Sequence, residues 1–214
     1  MDDNPTTKRS GDLGWIIAGI LIAALAWYFL PDTAPLPTLK QATLLTPAKP
    51  VQPFTLHDSN GKPFTLTQLT GHWSLLFFGY THCPDVCPTT LQTLATMVKR
   101  LQANYPDTEI PQVVFVSVDP ERDDDQRLNK FVRYFNRQFI GVTGKPEQIE
   151  NLTRQLGIIF AKVKDSSSGD YLVDHSAAIV LIDPHGNFSA LFGVPHNPEH
   201  IASDLASIEH YYAK

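Results

Sequence analysis

The chain has 214 residues, room for one domain of about 165 residues plus an appendage, and a domain of that size buries a core without covalent staples. With 17 Lys and Arg against 22 Asp and Glu the formal net charge is −5, and no basic stripe is present, so nucleic acid is not an expected partner. Two cysteines are too few for a disulfide scaffold; four positions apart in one stretch, they have the pattern of a redox or metal-binding pair.

Residues 1–12 are polar, and Lys8 and Arg9 precede an uncharged apolar stretch at 13–30. At about 1.5 Å per residue this stretch reaches roughly 27 Å, near the hydrocarbon thickness of a bilayer, with Trp15, Trp27 and Tyr28 placed for the interfaces. It reads as a single transmembrane helix behind a short cytoplasmic tail, with the bulk of the chain on the far side. A cleaved signal peptide is the alternative, because Ala24-Leu25-Ala26 has the small-x-small form. Asp2 and Asp3 are foreign to acid-poor transit peptides, so the expected location is a bacterial inner membrane with the C-terminal domain in the periplasm. Residues 31–53 carry Pro31, Pro35, Pro37, Pro47, Pro50 and Pro53 with few large apolar side chains, the composition of an extended tether. The folded domain is expected over 54–214.

That domain opens with Ser59-Asn60-Gly61-Lys62 between two alternating runs, a hairpin signal. The run 73–78 reads as a buried strand, and Leu91, Leu94, Val98 and Leu101 mark a helix with Pro88 at its first regular position. A Val/Phe run at 112–118 predicts a strand buried on both faces. Leu128, Phe131, Val132 and Phe135 give a second amphipathic helix, 139–142 a short strand, and Ile149, Leu152 and Leu156 a third helix from Pro146 to Gly157. After a strand at 160–163 and a polar loop at 165–170, the run 177–182 reads as a central strand that hairpins into 188–192. A last helix has Asn197 as N-cap, Pro198 first, and Ile201, Leu205, Ile208 and Tyr212 on its buried face. Alternating strands and helices predict an α/β fold with a mixed central sheet flanked by helices.

The chemistry gathers at Cys83 and Cys87, between the strand at 73–78 and the helix that follows. A helix N-terminus favours thiolate, and two thiols across one turn suit either a disulfide or joint coordination of a metal; spacing does not choose between them. One cysteine pair is short of a closed zinc site, which normally takes four ligands, whereas soft thiolates with an imidazole suit copper. Of the eight histidines, His57, His72, His185, His196, His200 and His210 fall in turns, the hairpin or the last helix, where a solvated ring is expected. His82 adjoins the thiols, with a ring free to point out of the loop. His175 stands where the polar loop enters the run 177–182, a strand-end position that leaves ligand and structural roles open. Asp174 is placed either to orient His175 through its second ring nitrogen or to serve as a plain loop residue. The acidic run 119–125 reads as a solvated loop or a partner-facing edge, and Met97 as core.

Phe78-Gly79-Tyr80-Thr81-His82-Cys83-Pro84-Asp85-Val86-Cys87-Pro88, Ser117-Val118-Asp119-Pro120-Glu121-Arg122-Asp123, Val173-Asp174-His175-Ser176 and Asp183-Pro184-His185-Gly186 resemble the successive motifs of the Sco/SenC proteins. The resemblance runs from about Pro53 to the C-terminus. It implies a membrane-tethered, thioredoxin-like domain that binds copper, Cu(I) and Cu(II), through Cys83, Cys87 and His175. It also implies a role in maturing the CuA centre of cytochrome c oxidase, as a metallochaperone or as a thiol-disulfide oxidoreductase with Cys83 and Cys87 as its redox pair. Implied partners are the copper-accepting oxidase subunit and a periplasmic copper donor or thioredoxin-like reductant. Where thioredoxins carry a cis-proline before the central strand, this chain has His175-Ser176-Ala177, which favours metal binding over rapid dithiol exchange. The Thr or Ser expected three positions before a peroxidatic cysteine is Tyr80 for Cys83 and Pro84 for Cys87, against a peroxidase.

Overall fold

A computed structural model describes residues 12–29, 35–164 and 171–213. The chain divides into two compact units, Met1–Leu36 and Pro37–Lys214. In the first, helix α1 spans Asp12–Phe29 and exposes Ile16, Ile17, Ile20 and Leu21. Among the described residues no helix is long and apolar enough to cross a membrane. Residues 1–11 of the cytoplasmic tail expected at 1–12, the anchor's last residue, the tether's start at 31–34 and the polar loop expected at 165–170 lie outside the described residues.

The second unit runs through strands β1 (Ala42–Pro50), β2 (Thr55–Asp58), β3 (Pro63–Thr65) and β4 (Ser74–Gly79), helix α2 (Val86–Asn104) and strand β5 (Gln112–Ser117). It continues through α3 (Asp125–Phe135), β6 (Ile140–Thr143), α4 (Pro146–Leu156), β7 (Phe160–Lys164), β8 (Tyr171–His175), β9 (Ile179–Ile182), β10 (Asn187–Phe192) and α5 (Pro198–Tyr212). Eight strands form one sheet in the order β1-β10-β9-β4-β5-β6-β2-β3, and β7 pairs with β8 apart from it. Strands β4, β5 and β6 are parallel, and β9 runs antiparallel to β4.

Every residue of β4 is buried, because a central strand covered on both faces is apolar throughout instead of alternating. Its side chains divide by the strand period of two. Leu75 and Phe77 join the core under α2, α3 and α5, with Leu91, Leu94, Leu128 and Leu205. Leu76 and Phe78 join the opposite core, with Phe54, Leu56, Ile149, Leu152 and Val173. In the β4/β5 register Gly79 faces Ser117, so both strands deliver their C-terminal ends to one edge of the sheet, where the cysteine loop leaves β4.

The structure corrects two expectations here. Residues 42–50 are not tether: they form β1, antiparallel to β10 with Ala42 opposite Phe192. Its prolines are tolerated because β1 is an edge strand whose outer side needs no donors. The buried carboxylate of Asp204 on α5 accepts the backbone N–H groups of Lys40, Gln41 and Ala42 at 2.8, 2.7 and 2.8 Å, fixing the strand's entry. Helix α2 starts at Val86, so Pro88 is its third residue instead of its first; an N–H there has no partner within the helix, and its loss costs little.

Candidate metal centre

Cys83 sits in the turn after β4, where its N–H donates to Tyr80 O at 3.2 Å. Cys87 lies in the first turn of α2 and is fully buried, whereas Cys83 is partly exposed; both are free thiols. The Cys87 backbone N–H donates to Cys83 Sγ at 3.4 Å, and Cys87 Sγ lies 3.3 Å from His175 Nε2. The three donor atoms all lie within 4.8 Å of one another. This is the one group of three or more potential metal-binding His, Cys, Asp or Glu side chains among the described residues.

The electrostatics divide the thiols. A hydrogen bond from the Cys87 thiol pulls the Cys83 pKa down to about 4, helped by His175 and by the Cys87 and Asp85 backbone amides, against a partial burial that works the other way. The same bond, with full burial, pushes Cys87 up. Cys83 is therefore the thiolate at neutral pH and Cys87 the proton holder of the reduced pair.

The imidazole is framed on several sides. Phe77 and Tyr80 meet its ring edge-on at centroid distances of 6.0 and 6.1 Å. Nδ1 lies 3.2 Å from the Ser176 carbonyl, which only accepts, so a proton on Nδ1 leaves the Nε2 lone pair facing the thiols. Room for Cys87 comes from Gly79, where a Cβ would run into Cys87 Sγ and approach Phe115 to 2.9 Å. The donors are soft, few, close and partly dry, a set that fits copper better than calcium or magnesium.

The expected residues fare differently. Cys83, Cys87 and His175 come together, but His175 closes β8 of the separate hairpin, and the central strand β9 begins only at Ile179. Asp174 points to the exposed face of β8, and the Ser176 carbonyl takes the role at Nδ1 expected for it. His82 is turned to Asp123 and Arg127, at 3.6 and 3.3 Å. His196, expected to be solvated, is partly buried with Nε2 2.7 Å from Ala177 O, and burial lowers its pKa. Met97 lies in the core as expected.

The acidic run at 119–125 is only partly a solvated loop. Asp119 and Asp123 are buried. Asp123 accepts Thr81 N at 2.9 Å and the Thr81 and Ser117 hydroxyls at 2.6 Å each, holding the cysteine loop against β5. Asp119 accepts Arg122 Nε at 2.5 Å and the Tyr171 hydroxyl at 2.8 Å. The available signal was position: Asp119 comes two residues after the end of a strand buried on both faces and Asp123 one turn later.

Fold and site together define a thioredoxin-like α/β domain with a Cys/Cys/His centre at the end of its first parallel strand. The profile of the SCO1/SenC family matches residues 43–210, and the chain belongs to that family. It is 38% identical over 162 residues to Protein SCO1 homolog 1, mitochondrial, of Arabidopsis thaliana, covering 76% of this chain and 48% of that one. It is 35% identical over 192 residues to the SCO2-like protein RP587 of Rickettsia prowazekii, covering 83% and 87%. The chain thus spans about half the length of the plant relative. The crystal structure of Arabidopsis thaliana ScoI with copper bound superposes with a TM-score of 0.70 at 37% identity, covering 75% of this chain and 98% of that one.

Proposed function

We propose that this protein is a copper metallochaperone that holds the ion between Cys83, Cys87 and His175 and passes it to the copper-accepting subunit of cytochrome c oxidase during maturation of the CuA centre. The convergence of three soft donor atoms within 4.8 Å, one of them a thiolate at neutral pH, carries this reading. The thiolates suffice for Cu(I); His175 completes the set that Cu(II) requires. Transfer proceeds by exchange of these ligands for thiols of the acceptor. Membership of a family with a copper-bound solved structure supports the choice of metal. The uncharged apolar stretch 13–30, which extends past the end of α1, is the membrane anchor in this reading, holding the domain on the periplasmic face of a bacterial inner membrane, with a periplasmic copper donor upstream.

Titrating the reduced domain, residues 37–214, with Cu(II) tests it. Thiolate-to-Cu(II) charge-transfer absorption is expected in wild type and its loss in His175→Ala; a wild-type domain without that absorption rejects the copper reading. A second reading, thiol-disulfide exchange on the oxidase cysteines, draws on the pairing of an accessible low-pKa Cys83 with a buried Cys87. Full oxidase maturation by His175→Ala would select it.

A further inference from the structure

The two halves of the metal centre stand on different sheets. Cys83 and Cys87 belong to the β4/α2 junction of the main sheet, whereas His175 ends a two-stranded hairpin that does not join it. Two-stranded hairpins are marginal on their own, so the place of His175 depends on what ties this one down. At its root the Ser176 N–H donates to Ile159 O at 2.9 Å, which closes the hairpin upon itself. Val173 enters the core beside β4.

A further tie among the described residues is a stack on Tyr171. The Arg122 guanidinium lies 3.6 Å from the centroid of the Tyr171 ring and donates from Nη1 to Tyr171 O at 2.9 Å. Lys162 Nζ lies 4.8 Å from the same centroid and pairs with Glu121 at 2.7 Å. The Tyr171 hydroxyl donates to Asp119, which also holds Arg122. Four residues after Asp119, Asp123 holds Thr81 of the cysteine loop through both its N–H and its hydroxyl. One short segment, 119–123, therefore grips the cysteine loop through Asp123 and the histidine hairpin through Asp119, Glu121 and Arg122.

We propose that residues 119–123 are a bracket that sets the distance between the thiols and the imidazole, with Arg122 and Tyr171 as positioning residues for His175. The inference rests on the copper reading of Cys83, Cys87 and His175. Neither positioning residue touches the metal; each acts by keeping β8 where His175 Nε2 faces Cys87. Because Cu(I) is satisfied by two thiolates and Cu(II) needs the imidazole, the bracket matters chiefly for Cu(II).

The test uses the reduced full-length chain with Tyr171→Ala, Tyr171→Phe and Arg122→Lys, each also in the His175→Ala background. Tyr171→Ala is expected to weaken Cu(II) binding by roughly 10- to 100-fold, the usual loss when a group that orients a metal ligand is removed, and to leave Cu(I) affinity nearly unchanged. Tyr171→Phe keeps the ring and loses less. Arg122→Lys keeps the charge but not the planar fork, shows the same selective loss, and serves in place of Tyr171→Ala if that variant does not fold. In the His175→Ala background none of the three has a further effect on Cu(II), because a positioning residue has nothing left to position. Equal losses in both backgrounds, or wild-type Cu(II) affinity throughout, would overturn the proposal. Hydrogen exchange of the Ser176 amide in the metal-free protein separates this from the copper reading itself. If wild type bound no copper, faster Ser176 exchange in the variants with unchanged exchange in β4 and α2 would still support the bracket, and unchanged Ser176 exchange would reject it.

Discussion

Cys83 and Cys87 have the same side chain and opposite acid strengths, and the cause is geometric: one accepts hydrogen bonds at the mouth of the loop, the other donates from full burial. A thiolate alkylates and a thiol does not, so in the reduced, metal-free protein Cys83 is expected to react with iodoacetamide down to about pH 5, while Cys87 stays unmodified until the fold opens. Mass spectrometry of the two cysteine peptides across a pH series checks this; equal labelling would contradict it. Gly79 acts at the same scale. Gly79→Ala would press a methyl group against Cys87 Sγ and the Phe115 ring, and overpacking of this kind costs about 1–3 kcal/mol. Thermal denaturation should show the loss, together with weaker copper binding as Cys87 is displaced. The cysteine pair and the need for a thiolate there were legible from residue types and a helix start, because both are local. His175, 88 residues from Cys87, was legible only as a strand end. Asp174 was misjudged because alternation along β8 sends adjacent side chains to opposite faces, a fact that depends on β8 being a strand.

At the scale of elements, helix α5 anchors two distant segments through carboxylates of opposite character. Asp204 gathers three backbone donors at the start of β1. Asp204→Ala leaves those N–H groups without their acceptor, and hydrogen bonds to a charged group contribute about 1.5–3 kcal/mol, so a loss of at least about 2 kcal/mol is expected in denaturant unfolding, with faster amide exchange at 40–44. Glu209 accepts the Glu109 N–H at 2.9 Å through Oε2, while its buried Oε1 has no hydrogen-bond partner among the described residues, and burial pushes its pKa up to about 7. The folded protein therefore holds a proton that the unfolded chain releases near pH 4.5. Its contribution is complete below that value and is lost as pH rises through about 7. Glu209→Gln should flatten this decline; a wild-type pH profile in the variant would refute the assignment. Element types were readable in chain order because apolar periodicity is local, as in the two-faced strands β4 and β5 and the capped helices α4 and α5. The strand β1 was not, since its sequence is that of a tether and its order comes from β10 and Asp204, both remote in the chain.

For the whole molecule, the reading of α1 as an anchor makes a separate prediction. The full-length chain should float with phospholipid vesicles on a density gradient and residues 37–214 should not; recovery of both in the soluble fraction would remove the anchor from the functional picture. If α1 does tether the domain, copper exchange takes place between partners held at one membrane surface, and access to the site becomes a matter of which face is presented. Here the uneven burial of the cysteine pair has its consequence. In the copper reading the centre has a front, where Cys83 and His175 are partly exposed, and a back, the buried Cys87, so an incoming pair of acceptor thiols would meet Cys83 before Cys87. On that reading exchange would run in a set order: Cys83 would be swapped while the buried Cys87 still held the ion, and copper would cross from one protein to the other without a moment as a free ion.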